Sequence, residues 1–127
     1  MKLIKKIFPN KEMRKYRKMH HRHKKELVKL AKETREYDWY WLHKMVLMQI
    51  RHMCEYYCAG NNVWQADESR QKVIDQLHQV LDIQKEIEEN DEREINFNYP
   101  LEGMEKEQEL YEKFYTSIGK DILWWWD

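Results

Sequence analysis

Glycine and proline are nearly missing: three glycines and two prolines in 127 residues leave few places for a sharp turn or a left-handed backbone. Long helices remain almost by elimination. No apolar run approaches the roughly 18 residues of a membrane span. The start "MKLIKKIF" has no apolar stretch long enough for a signal-peptide core. These two absences predict a cytoplasmic chain with no membrane partner. Only two cysteines occur, Cys54 and Cys58, too few for a disulfide framework, so they are expected as free thiols.

The apolar residues are spaced for helices. The chain length suits one domain with its own core, and the pattern predicts a single-domain, all-α bundle of about four helices. From Asn10, a cap-type residue, the positions Met13, Tyr16, His20, His23, Leu27, Leu30, Thr34 and Tyr37 alternate steps of three and four, the seam of a packed helix near 10–36. A second segment near 38–59 is apolar nearly all round, from Trp39 and Trp41 to Tyr57 and Cys58, and is expected to be the most buried. It should stop at Gly60. A third runs near 67–89 from Asp67 as cap through Val73, Ile74, Leu77, Val80, Leu81 and Ile87. The acids of "EENDERE" and the aperiodic "NFNYP" predict a loop near 90–100. A last helix near 101–126 carries Met104, Tyr111, Phe114, Ile118, Ile122 and Trp125 on one face, with Gly119 as a place for a kink or a close helix contact.

A formal net charge of zero hides strong polarity. Residues 1–30 hold twelve Lys or Arg against two Glu, and residues 82–112 hold twelve acids against three bases. Neighbouring first and last helices would neutralise one another without any outside partner. The first helix nonetheless concentrates Arg14, Lys15, Arg17, Lys18, His21, Arg22, Lys24 and Lys25 away from its apolar seam. Such a strip attracts an anionic partner: nucleic acid, a nucleotide or other phosphate-bearing ligand, or an acidic protein surface, with Tyr16 and His21 placed to stack on a base if the strand is single. The competing reading is a solvated helix face, and no motif of a known nucleic-acid fold accompanies the strip.

Signatures of catalysis are missing: there is no Gly-rich phosphate loop, nucleophile elbow or His-Glu-x-x-His pattern in the chain, and nothing marks two of its many carboxylates as an acid–base pair. We therefore expect a protein that binds rather than catalyses, with no cofactor. Cys54 and Cys58 share one helical face, but zinc wants four ligands and this turn offers two sulfurs. They read as core residues with no metal expected, and a Cys/His metal or redox site around them is the third alternative. His20 and His23 read as hydrogen-bonded residues of the helix seam rather than ligands.

The C-terminal "ELYEKFYTSIGKDILWWWD", preceded by an acidic stretch and by "MCEYYCAGNNVWQ", resembles small helical proteins of bacteriophages and prophages of Gram-positive gut bacteria, from Asp38 onward. The resemblance implies a mobile-element origin and an accessory or anti-defence role exercised by binding a host component. It assigns no residue. Three successive indoles, Trp124 to Trp126, sweep about 200° of a helix, more than one neighbour can cover. Trp125 continues the apolar series, so Trp124 or Trp126 should face water as a contact for a host protein or a second copy; the rival is a chain end folded over the bundle that hides all three rings.

Overall fold

The computed structural model describes residues 10–36, 38–59, 67–96 and 100–125. Among them the protein is all-α: α1 (Asn10–Glu33), α2 (Trp39–Cys58), α3 (Asp67–Asn96), α4 (Pro100–Asp121) and a closing 3-10 turn, Ile122–Trp124. The chain divides into two compact units, Met1–Trp64 and Gln65–Asp127, each built around one pair of helices. Among the described residues no helix is long and apolar enough to cross a membrane.

In the first unit α1 closes at Thr34, whose amide and hydroxyl both donate to the Leu30 carbonyl, at 2.9 and 2.8 Å. Asp38 caps α2: its backbone is extended and its carboxylate accepts the Tyr40 amide at 3.0 Å, satisfying a donor that the helix leaves open. The helices run antiparallel, since Tyr16 meets Tyr56 edge-on at 6.0 Å and His23 meets His52 further along α1. The seam of α1 is present in Met13, His23 and Leu30, all buried, but His20 lies exposed at its edge. The α2 expectation needs correction. His43, Leu47, Ile50, His52, Cys54 and Tyr57 are buried, while Trp39, Leu42 and Met45 on the other side are exposed. Apolar character all round an element shows what it tolerates, not what covers it.

In the second unit α3 and α4 pack antiparallel around Leu77, Val80, Ile87 and Phe114, each fully buried. Lys113 lies 3.6 Å from Glu86 across the pair. Near the chain's end, the buried Trp125 indole donates to Gln76 Oε1 at 3.0 Å. Two boundaries differ from expectation. The loop placed near 90–100 is helix through Asn96, because Glu, Asp and Arg are compatible with helix and neither glycine nor proline interrupts 67–99. The last helix ends at Asp121 and tightens into a 3-10 turn, which rotates Ile122 off the apolar face and leaves it exposed, as Met104 is. A Cβ at Gly119 would meet nothing within 4 Å, so no close helix contact requires that glycine. Gly60, Tyr37 and Trp126 lie outside the described residues, as does the side chain of Asp67.

Candidate nucleic-acid interface and its supporting clamp

The position of α1 on α2 decides which of its cations are available. Turning 100° per residue, Arg14, Lys15, Arg17, Lys18, His21, Lys24 and Lys25 fall within about 180°, opposite the buried His23. All seven are exposed. By helical position neither Glu12 nor Glu26 falls within that arc from Lys11 to Lys32. Among the described residues no carboxylate comes within ion-pair reach of Arg14, Lys15, Arg17, Lys18, Lys24 or Lys25. Lys11, Lys29 and Lys32, also exposed, extend the face.

Arg22 belongs elsewhere. Its guanidinium bonds to Glu55 of α2 and lies 3.6 Å from Glu26 on its own helix. It bridges the two helices rather than completing the strip, which corrects the expectation that it faces away from them. Tyr16 is also engaged: it stacks on His20 at 5.7 Å and meets Tyr56, so of the two side chains expected to stack on a base only His21 keeps an exposed place.

Beneath the strip sits a group that sequence reasoning missed. His23 and His52 stack face to face, centroids 3.9 Å apart and 7° from parallel, and both are buried. His23 Nε2 lies 2.9 Å from Glu55, and His52 Nε2 lies 2.6 Å from Glu26. A carboxylate only accepts, so each imidazole donates from Nε2. Each helix thus supplies a histidine to the other helix's glutamate, and Arg22 joins the two carboxylates. The hydrogen bond from His23, and then the Arg22 contact, hold the Glu55 carboxyl below its ordinary 4.5 against the opposing effect of burial. Beside the stacked rings lies a cleft of about 180 Å³ bordered by Tyr16, Met19, His20, Met53 and Tyr56. The signal was legible in retrospect: His-x-x-Glu occurs twice, at 23–26 and 52–55, and puts histidine and glutamate one turn apart on each helix.

Charged bonds between two helices with so polar a seam act as a clamp. Each Nε2 already donates to a carboxylate across the pair, so the four side chains hold the strip in place rather than gather around a shared ligand. Cys54 is buried as expected, but Cys58 is exposed, which corrects the reading of both as core. In the second unit Trp124 is exposed and lies 5.7 Å from the Lys72 ammonium, while Trp125 is buried. Compared with known proteins, the chain matches no family model, no curated protein and no solved structure.

Proposed function

We propose that this protein is a small non-enzymatic binding protein whose first helix contacts the phosphates of nucleic acid without reading sequence. The supporting observation is the continuous cationic face of α1, which among the described residues meets no carboxylate. From Lys11 to Lys32 the helix rises about 32 Å, and its nine outward Lys and Arg give roughly one cation per 3.5 Å, close to the phosphate spacing of about 3.4 Å along one strand. A straight rod of that charge density follows a single strand or one edge of a duplex. His21 adds an exposed ring beside it. The resemblance of the chain from Asp38 onward to phage and prophage proteins fits an accessory or anti-defence role in a host cytoplasm, where nucleic acid is the abundant polyanion.

Salt dependence tests this reading. Affinity for a labelled single strand or duplex, followed by anisotropy, should fall steeply with salt. The combined change Arg17→Gln, Lys18→Gln and Lys25→Gln should shallow the log–log slope by roughly 2 to 3. Arg22 is left out of that set because its loss would also open the helix clamp. Wild-type protein that ignores both DNA and RNA at low salt ends the proposal.

A second reading rests on the exposed end of the second unit, where Leu123 and Trp124 are 88% and 61% exposed. Here the aromatic C-terminus contacts a host protein and the basic helix is structural. Capture from host lysate with and without nuclease separates the two: nucleic-acid binding loses its partners on digestion, and a protein contact keeps them.

A further inference from the structure

Cys54 and Cys58 stand one turn apart on α2 with their Sγ atoms 3.9 Å from one another. Cys54 is buried, and Cys58, in the helix's last turn, is open to solvent. We propose that this pair is a chelating site for a soft monovalent cation, copper(I), which enters through Cys58. One helical turn cannot close the tetrahedron that zinc requires, whereas thiolates are the preferred ligands of copper(I), an ion that accepts two or three of them. With metal–sulfur bonds of about 2.3 Å, as in zinc thiolates, sulfurs at this separation subtend about 116° at the ion. That is near the trigonal angle and leaves room in the coordination sphere for a third ligand such as a small thiol. Opening the pair by about 0.7 Å would reach the linear, two-coordinate arrangement. Both sulfurs ride on one rigid element, so binding asks only for side-chain rotation.

The step balances without an oxidant. Copper(I) displaces a proton from each thiol, two copper–sulfur bonds form, two protons go to solvent, and the bis-thiolate complex carries a charge of minus one. That charge falls in the unit Met1–Trp64, where sixteen Lys and Arg outnumber six Asp and Glu. Protons are the main competitor, since each thiol must lose its proton to bind the metal. Affinity should therefore climb with pH.

The test is a titration of the reduced full-length protein with copper(I), under anaerobic conditions, against bicinchoninate as competing chelator. One equivalent should be withdrawn. The affinity, corrected for protonation of the competitor, should rise by up to about a hundredfold per pH unit as two protons leave. Cys58→Ser changes an exposed side chain, so the fold should persist by circular dichroism while copper(I) binding weakens at least about a hundredfold. Cys54→Ser should do the same, with melting recorded alongside. Wild-type protein that leaves copper with the competitor overturns the proposal. So does a Cys58→Ser variant that still withdraws one equivalent, or equal retention of zinc under the same competition.

Discussion

Glu55 shows how much one side chain does in the first unit, since it accepts from His23 and bonds to Arg22 at once. Its depressed carboxyl favours the native state above the ordinary value of 4.5, and that contribution is lost as pH falls through the lowered native value. In the wild type, melting temperature should therefore drop below about pH 4.5 more steeply than in Glu55→Gln. At pH 7 the variant should be weaker by about 1 kcal/mol or less, because the carboxylate is 43% exposed and solvent screens it. Parallel acid profiles would mean that Glu55 contributes nothing through its charge. His52 is different: it is buried, and His52→Ala removes the stack and the hydrogen bond that Glu26 accepts across the pair, leaving Glu26 with Arg22. That change should cost about 1 to 3 kcal/mol in urea unfolding. A cost within 0.5 kcal/mol would reduce the stacked pair to an incidental contact.

The elements were legible to different depths, and the reasons are physical. Periodicity alone located four helices, because helical spacing of Met13, His23 and Leu30 or of Val73, Leu77 and Val80 reflects which face is covered. It did not locate the end of α3: "EENDERE" is charged enough to resemble a loop, yet no residue in it breaks a helix. Nor did it find the clamp, because a histidine in a seam does not announce the glutamate on another helix that will meet it. Cation placement was readable from helix geometry except at Arg22, whose long side chain reaches around to the neighbouring helix. The C-terminal turn gives the sharpest check on element-level reasoning. The Trp125 indole is buried on Gln76, so Trp125→Ala should cost about 3 to 5 kcal/mol. Trp124→Ala should cost under about 1 kcal/mol, because its ring is largely exposed and its cation–π contact is to the exposed Lys72. Measured by urea unfolding, a large cost for Trp124→Ala would remove that ring from the contact surface and end the second functional reading.

Taken whole, the chain is a charge pair that sums to zero. Met1–Trp64 holds sixteen bases and six acids, and Gln65–Asp127 holds seven bases and seventeen acids. A net charge of plus ten joined to minus ten has a consequence for any polyanion: the acidic half repels what the basic helix attracts, over a range that salt controls. The reach of that repulsion is set by ionic strength, since the screening length falls from about 30 Å at 0.01 M salt to about 10 Å at 0.1 M. Neutralising exposed acids of α4 should therefore tighten nucleic-acid binding without adding a contact. Glu105→Gln, Glu109→Gln and Glu112→Gln together, at a few tenths of a kcal/mol each, should raise affinity for a single strand about fivefold near 0.01 M salt. The gain should shrink toward 0.1 M and beyond. Equal affinities at the lowest salt would show that the acidic half takes no part in setting binding strength, even where the basic helix still binds with its full salt slope.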